Sequence, residues 1–248
     1  MSDLESSSFN EQKLEVVTTF KYLGIQARMA EEYPINVNVK VYNEGIGNAF
    51  RKVAELGQKK EWTKLLETID GDPQLINSCA LVEKNTAHTL NTPLHHAALG
   101  SAPKEVFEQL LEMGSAKCLK NLAGETAYDI AVKSQLSQDI LKLIEVPKEI
   151  KQKETIIAKL EEGLHKVILG RVEDLIKENG QALPQVAYLF EKGEFYYAVP
   201  GMYGGFRVTK NGDKGIVSSS WIRVCGGSGQ EHEIDNDGNT KLVNEGFV

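Results

Sequence analysis

The fold of the middle of the chain is decided by the stretch Thr92-Pro93-Leu94-His95-His96-Ala97-Ala98. Proline fits the first turn of a helix because no backbone hydrogen bond is lost there, and a threonine hydroxyl before it can cap free N–H groups. A related run, Thr126-Ala127-Tyr128-Asp129-Ile130-Ala131, begins 34 residues after Thr92. The spacing predicts two helix starts that belong to one repeating unit.

Apolar residues recur at helical spacing on both sides of this stretch. Four apolar residues between Phe50 and Leu56 predict one helix, and the run from Trp62 to Ile69 predicts the next. Val106 to Met113 predicts a further helix, which Gly114 ends. Because a pair of short helices cannot bury its apolar face alone, we expect the pairs to stack against one another.

These features resemble the ankyrin repeat, whose first helix starts with Thr-Pro-Leu-His and small residues. The resemblance covers about residues 45–145 and is strongest over 92–131. Val106, Leu110 and Leu111, followed by Met113-Gly114, match the second helix and its glycine end. The run after Thr126 lacks the proline and the histidine, and the linker from Asp70 to Leu90 is longer than the family's turn.

The resemblance implies a protein partner that is bound through turns and inner helices. The candidate partner-binding residues are His88, Asn91, His96, Lys120 and Asn121. In ankyrin-like repeats His95 would instead have a structural role, a hydrogen bond to the turn of the neighbouring repeat. His96 is expected at the surface or in a groove. The resemblance implies no catalytic residue.

The chain outside the repeats divides into three further regions. Residues 1–44 predict a helix over Phe9–Tyr33 and an extended segment over Ile35–Tyr42. The repeats occupy residues 45–147. The pattern of residues 148–180 predicts a helical linker or capping pair that ends at Asn179-Gly180. Residues 181–248 hold half of the 22 glycines and predict a separate antiparallel β domain.

The β domain is predicted from alternating apolar residues between turn signals. Half of the 22 glycines fall between Gly193 and Gly246, and Asn-Gly and Asp-Gly are typical of tight hairpins. The predicted strands are Phe195–Val199, Gly205–Thr209, Ile216–Val224, Gln230–Ile234 and Lys241–Val243. The fold class expected for the whole chain is therefore multidomain α+β, a short α-solenoid followed by a small antiparallel β domain.

A candidate ligand loop lies in the β domain. Its residues are Tyr203, Arg223, Gly227, Ser228 and His232. A glycine-rich loop can present backbone N–H groups to an anion, but no Gly-Lys-Ser/Thr follows, so the loop is not a P-loop. Cys225 and His232 leave open a nucleophile and base, although no third residue orients them. The acidic run from Glu233 to Gly238 predicts a hairpin turn rather than a calcium loop, since its twelfth position is Asn244.

Composition limits the remaining classes of function. The net charge of −7 argues against a broad nucleic-acid surface, which needs clustered Lys and Arg. The three cysteines form no CxxC pair, so neither a zinc site nor a dithiol redox site is predicted, and no cofactor is expected. No apolar run approaches the ~20 residues of a membrane helix, so we expect a soluble, cytoplasmic protein without membrane insertion.

The sequence therefore favours a protein–protein interaction module or adaptor, and an enzyme is the less favoured class. One alternative is an enzyme or small-molecule binder with its site in the carboxy-terminal β domain. A further alternative is a structural subunit of a larger assembly.

Overall fold

The computed structural model describes residues 31–32, 44–79, 89–223 and 227–246. Most of the predicted amino-terminal helix and the extended segment at 35–42 lie outside these residues. The first described element is strand β1 (Glu31–Glu32), which pairs in parallel with Phe195 and Tyr196 of the carboxy-terminal sheet. The helix predicted through Tyr33 is therefore wrong at these two residues, because pairing with a distant strand overrides the local apolar pattern.

The helices predicted between residues 45 and 147 are confirmed, and they pack in pairs. In chain order they are α1 (Glu44–Gln58), α2 (Trp62–Gly71), a 3₁₀ turn (Pro73–Asn77), α3 (Pro93–Gly100), α4 (Lys104–Glu112), α5 (Ala127–Lys133) and α6 (Gln138–Ile144). Within the pairs, α1 contacts α2, α3 contacts α4 and α5 contacts α6. Across the pairs, α3 contacts both α1 and α5, while α4 contacts both α2 and α6. The helices thus form two layers.

Local signals set the helix ends in this region. The α4 helix ends at Glu112, and Gly114 follows with a φ of +105° that is accessible to glycine at little cost; the N–H of Ser115 donates to Leu110 O at 2.9 Å. Leu110 and Phe107 are fully buried in the core between the pairs. The glycine stop expected after Met113 is confirmed.

Three helices connect this region to the sheet: α7 (Lys148–Gln152), α8 (Glu154–Asn179) and α9 (Ala187–Lys192). The α8 helix ends at Gly180 with φ of +58°, so the left-handed end predicted there is confirmed. Its backbone leaves helical geometry at Val172, with φ of −145°.

The carboxy-terminal sheet is antiparallel from β2 to β6, as predicted. Its strands are β2 (Phe195–Val199), β3 (Gly204–Lys210), β4 (Gly215–Ile222), β5 (Ser228–Asp235) and β6 (Thr240–Gly246). Each strand pairs with the next one along the chain, and β1 extends the sheet beside β2. The hairpin between β5 and β6 is held by Asp235, whose carboxylate accepts from the N–H groups of Asp237 and Asn239 at 2.9 Å. The hairpin interpretation of the acidic run is confirmed.

Two hydrophobic cores are present in the described residues. One lies between the helix pairs α1 to α6. The other joins α7, α8 and α9 to the inner face of the sheet, where Leu160 and Leu164 are fully buried with Phe206 and Ile216. The helix α8 therefore packs on the sheet and shares its core, whereas the domain boundaries expected at 147 and 180 stay predictions.

The segment 115–120 joins the two cores. The carboxylate of Glu191 accepts from the N–H groups of Lys117 and Cys118 at 2.8–3.0 Å. The Gln185 amide accepts from Lys120 N and donates to Lys120 O, both at 2.8 Å, as a neighbouring strand would. These side chains of the α9 region hold the segment that leads into the turn before α5.

Candidate partner-binding cleft

A cleft of about 970 Å³ lies beside the last helix pair. Its first wall is the turn at 120–126 with the start of α5, and its second wall is formed by α7 and the start of α8. Gln185 and Ala187 also line it. The cleft therefore lies where the helix pairs meet the part of the chain that packs on the sheet.

The floor of the cleft is largely apolar. It is lined by Cys118, Val146, Ile150, Ile157, Ala158 and Ala187. Cys118 is buried, and burial, followed by the nearby Glu191 carboxylate, raises the pKa of its thiol well above the ordinary value. The thiol is therefore protonated at neutral pH and contributes an apolar surface rather than a nucleophile.

The rim of the cleft carries charges of both signs. Lys133 pairs with Glu125, and Lys120 lies 3.7 Å from Glu154. The ammonium of Lys151 lies 5.2 Å from the centre of the Tyr128 ring. Because exposed ion pairs of this kind contribute only about 0–1 kcal/mol, the charges of a partner can replace them at little cost.

The turn that forms one wall is held by side-chain hydrogen bonds. Asn121 Oδ1 accepts from the N–H groups of Ala123 and Glu125 at 3.0 Å, and its amide donates to Asn91 Oδ1 at 3.1 Å. The N–H of Leu122 donates to Thr89 O at 2.9 Å. The turn is thus braced against the segment before α3, and it presents Leu122 with 65% of its surface exposed.

His95 connects one helix start to the next turn. Its Nδ1 accepts from Thr92 N at 3.2 Å, so the proton is on Nε2, which donates to Glu125 O at 3.1 Å. Burial lowers the pKa of His95 to about 4, and the imidazole is neutral at physiological pH. The structural hydrogen bond expected for this residue is present.

Asp129 stands three residues after Thr126, as His95 stands three residues after Thr92. Its carboxylate accepts from Thr126 N at 2.8 Å and from Thr126 Oγ1 at 2.7 Å, so it caps its own helix. A carboxylate with both contacts to Thr126 makes the local cap but not the bond to a following turn.

The predicted partner-binding residues have different environments. His96 is buried against Gly57 of α1, and a Cβ added at Gly57 would lie only 2.7 Å from His96 Cβ. The surface position expected for His96 is therefore wrong. The reason is that glycine lets α1 approach α3 closely. Asn91 is only 9% exposed and braces the turn through Asn121. Lys120 lines the cleft, and His88 lies outside the described residues.

The candidate ligand-loop residues divide into two groups. Tyr203 is 74% exposed in the turn between β2 and β3, and Arg223 and Gly227 flank residues 224–226, which lie outside the described residues. Ser228 and His232 lie on β5, where Arg171 of α8 donates to Ser228 O at 2.7 Å and to Ser228 Oγ at 3.0 Å. Arg171 was not predicted, because nothing in the sequence indicates a contact across 57 residues. Cys225 lies outside the described residues.

No group of three His, Cys, Asp or Glu side chains in the described parts of the chain is arranged to hold a metal ion. Within the same parts, no helix combines the length and the apolar character needed to cross a membrane.

Comparison with protein-family models, with curated proteins and with solved structures gave no match. The ankyrin resemblance and the function that it implies therefore rest on the residues and geometry described above.

Proposed function

We propose that this chain is a protein-interaction module that binds a segment of a partner protein in the cleft beside α5. The observation that carries the proposal is the cleft itself, about 970 Å³ in volume, with an apolar floor and a rim of exchangeable ion pairs. Binding sites of comparable volume are mostly apolar and contain a few polar groups that fix orientation.

We further propose that the helix pairs α1 to α6 form an ankyrin-like stack. Support comes from Thr92 and Thr126, which precede helices of the same layer and each pair with the residue three positions later. The hydrogen bond from His95 to Glu125 O, which joins one unit to the next turn, is further support. In such a stack the braced turn before α5 is a contact surface, and Leu122 supplies it with an exposed apolar side chain.

The chemistry of the cleft favours a partner segment with apolar side chains between charged ones. The apolar floor removes aliphatic or aromatic groups from water, which contributes about 25 cal/mol per Å² of apolar surface buried. The rim offers Lys120 and Lys133 to acidic groups of the segment, and Glu125 and Glu154 to basic ones. Orientation would then follow from the order of charges along the segment.

The test uses a random peptide library selected on the full chain, followed by titration of the retained peptides. Ala158→Trp fills the floor of the cleft with an indole, and Ala158 is exposed on α8, so the core is untouched. Thr155→Trp is the matched control, since it adds the same indole to an exposed position of α8 that does not line the cleft.

We expect Ala158→Trp to weaken peptide binding at least about tenfold, equivalent to 1.4 kcal/mol, and Thr155→Trp to leave it unchanged. Peptides that bind the wild type and Ala158→Trp equally well would show that the cleft is not the binding surface.

A further inference from the structure

The face of α5 that borders the cleft is less covered than the same face of α3. Leu94 and Ala98 of α3 are 1% and 0% exposed, and they lie in the core between the helix pairs. The residues 34 positions later are Tyr128, which lines the cleft and is only half-buried, and Val132, which is 47% exposed. Because α3 lies between α1 and α5 whereas α5 begins the last pair, α5 keeps an apolar face that a further helix would cover.

Most backbone N–H groups in the wall formed by the turn before α5 already have acceptors. The N–H groups of Cys118 and Lys120 donate to side chains of the α9 region, and those of residues 121–126 donate to nearby acceptors. An extended partner segment gains affinity from main-chain hydrogen bonds, and it finds no free donor among these groups. A helix forms its backbone hydrogen bonds internally and needs none from the cleft.

The opposite wall of the cleft carries negative charge. Along α8 the cleft is lined by Glu154, Ala158 and Glu161, which share one face of the helix because they are four and three residues apart. Among the residues that line the cleft, α8 contributes these two carboxylates and no basic side chain. The ammonium of Lys120 lies 3.7 Å from Glu154, and that pair is exposed. A helix along this wall is therefore favoured by Lys or Arg on the side that faces α8.

The size of the cleft fits a short length of helix. A helix with its side chains is about 10–12 Å wide and rises about 1.5 Å per residue, so the volume of about 970 Å³ holds about 9–12 Å of it. That length corresponds to roughly two turns. Glu154 and Glu161, which are also about two turns apart, would lie beside such a helix over its full length.

We propose that the partner segment in the cleft is an amphipathic α-helix. Its apolar face covers Tyr128 and Val132, and its basic flank faces Glu154 and Glu161. The inference rests on the proposed function, because it specifies the ligand of the same cleft.

The test selects two libraries of peptides of about 16 residues on the full chain, a length that allows a helix to form. In the first library apolar residues are fixed at helical spacing with Lys or Arg beside them, and in the second apolar and polar residues alternate as in a strand. Ala158→Trp, compared with Thr155→Trp, then shows which retained peptides use the cleft. We expect the tightest cleft-dependent peptides to come from the first library.

The outcomes separate this inference from the proposed function. Cleft-dependent peptides that bind equally well or better from the alternating library would overturn the helix and leave the proposed function intact. If no peptide from either library depends on the cleft, the proposed function fails and the helix fails with it.

Proline substitutions in the tightest cleft-dependent peptide give a second readout. Proline in the middle of the apolar stripe breaks a helix, whereas proline at the first helical position is tolerated. We expect the central proline to weaken binding at least about tenfold and the amino-terminal proline to leave it unchanged. Equal effects of the two prolines would show that the cleft holds an extended segment and would overturn the helix.

The basic flank is tested with Glu154→Lys and the same peptide. We expect this charge reversal to weaken binding about threefold. Glu162→Lys is the matched control and should leave binding unchanged, because Glu162 is an exposed carboxylate of α8 that does not line the cleft. Unchanged or tighter binding to Glu154→Lys would overturn the basic flank.

Discussion

Acidification should destabilise this protein well above the pH at which its carboxylates are protonated, because two adjacent histidines are buried. Burial lowers the pKa of His95 and of His96 from 6.5 to about 4. In the unfolded chain both imidazoles take up a proton near pH 6.5, whereas in the folded protein they stay neutral. The stability is therefore fully present above about pH 6.5 and is lost as the pH falls towards 4.

The size of the effect follows from the two pKa values. One pKa unit corresponds to 1.36 kcal/mol, so each histidine can contribute up to about 3 kcal/mol at the acidic limit and about 2 kcal/mol at pH 5. Together they give a loss of about 4 kcal/mol between pH 7.5 and pH 5, against a total stability of about 5–15 kcal/mol for a typical domain.

The assay is urea unfolding at pH 7.5, 6 and 5, followed by circular dichroism, with His96→Gln as the comparison. This variant removes one titrating group, so its loss of stability between pH 7.5 and 5 should be smaller by about 2 kcal/mol. Carboxylates such as Asp235, whose pKa is lowered by its bonds to Asn239, lose their contribution only as the pH falls below about 4. An identical pH dependence in wild type and His96→Gln would refute the reasoning.

Three further substitutions test the packing. Leu110→Ala should lower the free energy of unfolding by about 2–5 kcal/mol in urea titrations, since Leu110 is fully buried between the helix pairs, and a loss below about 0.5 kcal/mol would contradict that position. Glu191→Gln should cost about 1–3 kcal/mol and speed amide hydrogen exchange at Lys117 and Cys118, whose N–H groups donate to the carboxylate; unchanged exchange at both would show that Glu191 does not hold the segment 115–120. Gly163→Val should cost about 1–3 kcal/mol in thermal unfolding, because a Cβ there lies 2.6 Å from Ile234 Cγ2. Gly170→Ala, which meets nothing within 4 Å, is its control and should be neutral or stabilising.

Helix and strand positions could be predicted where the local chain chemistry decides them. Thr92 and Pro93 mark the start of α3, Gly114 marks the end of α4, and Gly180 marks the end of α8. These signals work because capping, the fixed φ of proline and the positive φ of glycine act over a few residues. The hairpin at Asp235 was predicted correctly for the same reason, because its turn is held by hydrogen bonds between residues at most four positions apart.

The sequence by itself determined the short helices between residues 45 and 147, their packing in pairs and the antiparallel sheet at the carboxy terminus, but neither strand β1 nor helix α9. Tertiary structure decided what surrounds each side chain. It buried His96 against Gly57, packed α8 on the sheet and brought Arg171 to Ser228. The physical reason is that periodicity shows which face of an element is apolar but not which distant element covers that face. The cleft beside α5 forms where such separate elements meet.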